Sequence, residues 1–418
     1  MREMKDSGIE WIGEIPCDWK LERSQWHLEE VNISNNPIQT NNVLSLTNKL
    51  GVVPYEEKGN QGNKSKENVY EYKLAYPNTI VANSMNILIG SVGLCDYFGC
   101  VSPVYYVFRA KKYNNIKFLN YVFQTVGFQR ELRKYANGIL EIRLRVSSSD
   151  ILKRFIPFPS EIEQQKIADF LDRECGKIDG LKADIQAQID TLEQYKRSVI
   201  TEAVTHGLNL STPMKDSGVD YIDKIKGDWR ITKIGFVCSK LTRGFSVEDP
   251  ALICSNNGSV MLRDEEKACG KMVSEDNAMQ GIHIGDIAIH GMDTWHGAIG
   301  FSKIKGKITR VVHVCDSTED KRFIVYYLKS LAYQNVYKLI SNGVRGNTSD
   351  FRSWDKVKDI YICLPATKKE ENEICDYLDA QCENIDMIIA DKKSQIETLD
   401  GYKKSLIYEY VTGKKEVV

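Results

Sequence analysis

The side chains best suited to chemistry in this 418-residue chain are cations set among glycine and asparagine. Lys58, Lys64 and Lys66 lie in KGNQGNKSK, and Arg143 and Arg145 follow Asn137-Gly138. In the second half Arg243 precedes Gly244, Lys303, Lys305 and Lys307 alternate through KIKGK, and Arg345 and Asn347 sit in NGVRGN. A flexible backbone lets such side chains reach a partner. Arg can bond a guanine edge with two parallel N–H groups, and Asn matches adenine in the same way. Lys mainly neutralises phosphate. A lone surface Lys is ordinarily just solvated. The clustering, and its recurrence in both halves, are what point to nucleic acid.

Other constellations lead to blander readings. His283, His290, Asp293 and His296 could be taken for a metal site, but they straddle a glycine-rich loop instead of one helix face, and no thiol pair assists. Trp295 in that loop reads as packing ahead of contact. There is no GxGxxG opening a βαβ unit, no P-loop, no GxSxG, no HExxH and no Asn-Pro-Pro-Tyr or Asp-Pro-Pro-Tyr of an adenine methyltransferase. Paired acids lie on helices, where they read as solvated faces. The sequence therefore predicts no catalytic residues, no metal and no cofactor. Eleven cysteines without a CxxC pair read as reduced, mostly buried thiols.

Net charge is −1, but its distribution is uneven. Arg109 to Arg145 holds nine basic residues against Glu131 and Glu141, and Lys303 to Arg310 holds four basic residues and no acid. Residues 161–205 carry ten acids and six bases. Acidic helices thus separate basic modules, and local charge sets affinity for phosphate. With 42% hydrophobic residues, no apolar run long enough for a membrane helix and no signal core in MREMKDSG, the expected location is cytoplasmic.

The elements that must position the cations are written twice. Over 161–205, Leu171, Ile178, Ile185, Leu192 and Val199 recur every seven residues, beside a second line through Ala168, Cys175 and Ile189 that Lys182 and Lys196 interrupt. The spacing predicts one long helix, roughly 67 Å at 1.5 Å per residue, packed along a partner. The partner is expected within the same chain. Shifted by 207, the pattern returns at 374–412, with Leu378, Ile385, Ile389, Ile396, Leu399 and Leu406 on its seam. Polar Lys182, Gln188 and Lys392 suggest a partly wet or protein-facing surface there, and Cys175 and Cys382, at equivalent positions, read as core. Ser160 and Thr367 are placed to cap the two helices. A lead-in also repeats: MKDSGIEWIGEIPCDW at 4–19 and MKDSGVDYIDKIKGDW at 214–229. Between lead-in and helix each half holds a mixed α/β module with far more divergent sequence, in which 78–93 aligns with 285–300.

The expected fold is α+β: two pseudo-two-fold-related α/β modules joined by two long antiparallel coiled-coil helices. The divisions are a first module at 1–158, a first long helix at 159–206, a second module at 207–363 and a second long helix at 364–413. A homodimer's symmetry would be held within one polypeptide.

Together, Met4 to Pro16 with Asp18-Trp19, the helix entry Pro157 to Asp172, and Leu192 to Thr205 closing on Val-Thr-His-Gly with Val411-Thr-Gly413 as its echo resemble the specificity subunit of type I restriction–modification systems. The likeness covers the whole chain. Glu370-Glu-Asn-Glu373 departs from the usual Glu-Gln, and Lys392 interrupts the second seam. The resemblance implies a non-catalytic, sequence-specific DNA-binding subunit. Each α/β module would be a target recognition domain that reads one half of a split target in double-stranded DNA, and the helices would fix the unread spacer. Two methylation subunits carrying S-adenosylmethionine would dock on it, motor-nuclease restriction subunits would complete the complex, and the methylated base would be handled by the partner. The rival is a non-catalytic coiled-coil scaffold or adaptor, which accounts for the helices but not for duplicated, divergent basic modules. A hydrolase with a scattered active site is disfavoured by the missing motifs.

Overall fold

The computed structural model describes residues 2–47, 51–58, 68–111, 114–138, 144–209, 211–263, 278–341 and 350–417. The chain divides into two compact units: Met1–Ile185 with Lys393–Val418, and Gln186–Lys392.

The repeated lead-in folds the same way in both. Met4–Asp6 pairs antiparallel with Glu14–Pro16, and Met214–Val219 with Ile222–Lys226. In each, an Asp carboxylate accepts the N–H of the glycine two residues on, Asp6 from Gly8 and Asp216 from Gly218, both at 2.9 Å. Those glycines have φ of 69° and 70°, a left-handed turn that suits Gly, so Asp-Ser-Gly recurs because the turn requires it. The repeated lysine ties the turn to its own return strand: Lys5 Nζ donates to Cys17 O and Lys215 Nζ to Gly227 O, each at 2.8 Å.

The first module is built on a four-stranded antiparallel sheet. In chain order its strands are β1 (Leu28–Glu30), β2 (Thr79–Asn83), β3 (Val92–Cys95) and β4 (Tyr105–Ala110), arranged β1-β4-β2-β3. Every residue of β2 is buried, as expected of a central strand covered on both faces. Ile80, Ala82 and Phe108 point into the larger core with Phe118, Leu119, Val122 and Phe123 of helix α1 (Ile116–Gln124). Val81 and Val107 point the other way, against Leu44, Leu46 and Val52 of the hairpin Leu44–Thr47/Gly51–Pro54. Asn115 caps α1, accepting from the N–H groups of Lys117 and Phe118.

The second module repeats this plan with strands β5 (Cys238–Lys240), β6 (Ile287–His290), β7 (Ile299–Phe301) and β8 (Val312–Ser317), ordered β5-β8-β6-β7. Ile287, Ile289 and Cys315 face the core shared with helix α3 (Lys321–Tyr333), capped by Asp320. Ala288, Val312 and Val314 face a second sheet formed by Val260–Leu262, Ala251–Cys254, Gly306–Thr309 and Met279–Ile282. The first module carries the matching layer as two antiparallel pairs, Leu44–Thr47 with Gly51–Pro54 and Lys73–Ala75 with Gly99–Val101, linked by a parallel bridge between Val43 and Cys100, so the two modules share both layers and differ in the residues those layers present.

The two long elements are continuous helices, α2 (Glu161–His206) and α4 (Lys368–Val411). Ser160 Oγ accepts the Glu163 N–H at 3.3 Å and Thr367 Oγ1 the Glu370 N–H at 3.2 Å, as the sequence predicts. Within the first unit Leu171, Cys175 and Ile178 of α2 share a core with Leu406, Ile407 and Val411 of α4, and Leu399 packs on it. Within the second unit Val199, Ile200 and Ala203 share a core with Ile374, Cys375, Leu378 and Cys382. Ile385 and Ile389 are buried, while Ile185, Leu192 and Ile396 are half-buried.

Ion pairs between the helices alternate with this apolar packing. Lys403 bonds both carboxylate oxygens of Asp179 at 2.6–2.8 Å, and Lys196 those of Asp386 at 2.7 Å. These are the same Asp–Lys pair read from the two repeats, once in each unit, and their order along each helix is antiparallel. Lys182, which interrupts the apolar line, pairs with Asp400, and Lys392 donates to Gln188. The seam lysines therefore serve the helix pair itself. No described helix is long and apolar enough to cross a membrane.

Candidate nucleic-acid interface

Each unit carries a rigid frame and a variable surface. The frame is bonded through repeated residues. Trp19, 2% exposed, donates Nε1 to Glu163 of α2 at 2.9 Å, and Trp229, 1% exposed, donates to Glu370 of α4 at 3.2 Å. Tyr121 donates to Asp172 and Tyr326 to Asp379, both at 2.7 Å. The second oxygen of each Asp takes a cation, Lys117 at 2.7 Å and Arg322 at 2.9 Å. Burial and the adjacent Asp push both tyrosine hydroxyls well above their ordinary range, so they remain donors. Module and helix are thus locked by aromatic–carboxylate bonds at fixed places in each unit.

Cys175 and Cys382 are buried beside these tyrosines. Burial pushes the Cys175 thiol to about 11 and raises that of Cys382. The ten described cysteines are all free.

The predicted cations fall into different environments. Lys64, Lys66, Arg143, Arg345 and Asn347 lie outside the described residues. Lys58 is buried, its Nζ 3.9 Å from the centre of the Tyr55 ring. Arg145 is exposed, and its backbone exchanges hydrogen bonds of 2.8 and 2.9 Å with Asn137. Arg243 forms a two-pronged pair with buried Asp286 at 2.8 and 3.0 Å. Lys303 and Lys305 are exposed on the turn between Phe301 and Gly306. Lys307 is half-buried on its strand, donates to Val247 O at 2.9 Å and lies 5.7 Å from the Phe245 ring.

Arg243 and Lys307 thus come to the same loop, Arg243 as part of it and Lys307 through Val247 O and the Phe245 ring. The loop also gathers two cations absent from the predicted set, Lys240 at the end of β5 and Arg310 between Gly306–Thr309 and β8. The signal was present as a Lys-x-x-Arg-Gly run and as the end of the basic 303–310 stretch. The loop approaches its strand at Gly281, whose N–H bonds Arg243 O at 2.9 Å. A Cβ at Gly281 would lie 2.3 Å from Gly244 O, so the close approach needs glycine.

The histidines form no such gathering. His290 lies 3.2 Å from Asp293 and is held below its ordinary range by burial, and His296 is 3.9 Å from the same carboxylate. Among the described residues no three His, Cys, Asp or Glu side chains converge as metal ligands. Trp295 packs partly into the core, with Lys338 Nζ 5.0 Å from its ring.

Comparison with known proteins identifies the frame. Residues 27–191 match the family model for the type I restriction modification DNA specificity domain. No curated protein matches the chain. A chain from a structure concerned with complex assembly and conformational transition of the type I R-M system is similar in fold, with a TM-score of 0.66 and 11% identity over 96% of this chain and 99% of that one. The HsdS subunit from Thermoanaerobacter tengcongensis gives 0.46 and 12% over 96% and 98%, and the type I S subunit from M. genitalium 0.37 and 14% over 94% and 96%. Residues 27–191 thus match a type I restriction modification DNA specificity domain, and the second unit is built on the same sheet and frame.

Proposed function

We propose that this chain is the DNA-reading subunit of a type I restriction–modification complex, in which each module reads one half of a bipartite target. One observation carries the reading: a duplicated frame holds surfaces that have diverged. Trp19–Glu163 and Tyr121–Asp172 return as Trp229–Glu370 and Tyr326–Asp379. Yet the residues presented on that frame differ: Glu30 on β1 stands where β5 carries Lys240. A scaffold that merely joins partners has no need of two different surfaces on one support. Among the described residues, Arg145, Lys303 and Lys305 are the exposed predicted cations available for DNA contact.

The long helices set the unread spacer and receive two methylation subunits, which bring S-adenosylmethionine and the chemistry. Paired apolar exposure supports two copies of one partner. Leu181 and Tyr402 are 52% and 55% exposed in the first unit, and their repeat equivalents Ile388 and Tyr195 are 45% and 53% exposed in the second. Motor-nuclease subunits complete the assembly, and this chain performs no catalysis itself.

The test is to replace residues 20–150 with the module of another specificity subunit and sequence the methylome of cells carrying the hybrid complex. One half of the methylated sequence should change while the other stays. A change in both halves, or in neither, refutes independent reading.

A further inference from the structure

In the second unit Lys240, Thr242, Arg243, Gly244, Phe245, Met279, Gln280 and Arg310 line a recess of about 400 Å3. Three of the eight are cations, and no carboxylate lines the recess among the described residues. Elsewhere in this unit basic side chains are largely neutralised: Arg230 by Glu319, Lys233 by Asp359, Lys226 by Glu370 and Lys321 by Asp316. Among the described residues, Lys240 and Arg310 are exposed and pair with no acid, and the Arg310 side chain bonds through Nε alone, to Met279 O at 3.1 Å. Bringing uncompensated like charges into one concavity is unfavourable unless an anion joins them.

The other lining groups decide what kind of anion. Reading a base edge needs unspent, fixed donors and acceptors. Gln280, the one lining amide, is buried with its Nε2 donated to Val312 O at 2.5 Å. Arg243 has Nε and one terminal nitrogen on Asp286. What remains are the mobile Lys240 ammonium, the free end of the Arg310 guanidinium and the half-buried ring of Phe245, which suit a phosphate and the apolar side of its sugar.

We propose that this recess seats the DNA backbone through Lys240 and Arg310, holding the second module in register without reading sequence. The assignment rests on the DNA-binding function proposed above. The site belongs to one module only. At the equivalent of Lys240 the first module has Glu30, which lies 3.6 Å from Lys73.

The experiment measures affinity of the full chain for duplex DNA of arbitrary sequence between 0.05 and 0.3 M salt, a range on the order of that over which phosphate contacts are usually resolved. Each phosphate contact contributes about 0.9 to the slope of log affinity against log salt. Replacing both cations, Lys240→Gln with Arg310→Gln, should therefore lower the slope by about two units and weaken binding roughly 50-fold near 0.1 M salt. Lys240→Arg with Arg310→Lys should keep the slope. Lys233→Gln, which removes a cation already paired with Asp359, should leave it unchanged. Far-UV circular dichroism establishes that each variant is folded. Wild-type binding with an unaltered slope in the double variant overturns this site and leaves the general reading standing. A wild-type chain with no salt-sensitive duplex binding overturns both. Micromolar binding of a free nucleoside triphosphate, lost in the double variant while duplex binding persists, gives the recess to a soluble nucleotide and also overturns the proposal.

Discussion

Glu371→Gln should stabilise the second unit at alkaline pH and leave it unchanged in acid. Glu371 is 3% exposed and accepts the backbone N–H of Asp320, the residue that caps α3, at 3.0 Å. Its equivalent 207 positions earlier is Gln164, 0% exposed. Gln164 does the same for Asn115, the cap of α1, at 3.0 Å, and also donates Nε2 to Pro159 O at 3.0 Å. A carboxylate has no donor for that second bond. Burial, with Glu319 and Asp320 nearby, therefore pushes the Glu371 carboxyl from 4.5 to about 7. The folded state holds the proton more tightly than the unfolded chain. The associated stability is complete below pH about 4.5, is lost as pH rises, and is gone above about 7. At about 1.4 kcal/mol per pH unit, the loss is about 3 kcal/mol.

The amide cannot ionise, so Glu371→Gln should recover on the order of 2–3 kcal/mol at pH 8 and almost nothing at pH 5. Native-state hydrogen exchange of the α3 amides, Lys321–Tyr333, at the two pH values reports on this unit directly, with urea unfolding as the global companion. Gln164→Glu should install the same pH dependence around α1. If the Glu371→Gln chain retains the wild-type difference between pH 5 and pH 8, the buried carboxyl is not the cause and the reasoning fails.

Further outcomes follow from the frame and the helices. Leu378→Ala, at a site with no exposure, should cost about 2–5 kcal/mol by urea unfolding, with Leu171→Ala its counterpart in the first unit. Tyr121→Phe leaves one Asp172 oxygen without its donor and should cost about 1 kcal/mol or more, measured in the same way. Lys303→Gln, on an exposed turn, should weaken all duplex sequences alike and lower the salt slope by about one unit, whereas loss of affinity for one sequence only would make Lys303 a reader of bases. A heptad inserted near Ile185 and another near Lys392 keep the seam in phase and add roughly 10 Å to each helix. The methylated spacer should grow by about one to three base pairs, since about three rise over that length and twist must also be accommodated. An unchanged spacer would remove the helices as the ruler.

The sequence by itself determined everything that depends on period and repetition. The near-3.5-residue seam fixed two long helices, Ser160 and Thr367 marked their starts, and the copied Asp-Ser-Gly turns and Asp-Trp ends fixed a duplicated frame, because each is a local property of backbone geometry. The tertiary structure alone decided which charges are already spent. Arg243 lies beside Gly244 in sequence but is bonded to Asp286, Lys58 is buried near Tyr55, and Lys240 and Arg310 line one recess where Gly281 lets the Arg243-Gly244 loop approach its strand. It also decided that Glu371, where the sequence departs from Glu-Gln, is buried, so that a carboxyl sits in the place of an amide. Burial and ion pairing are sums over neighbours distant in the chain, and spacing along one strand of sequence does not encode those sums.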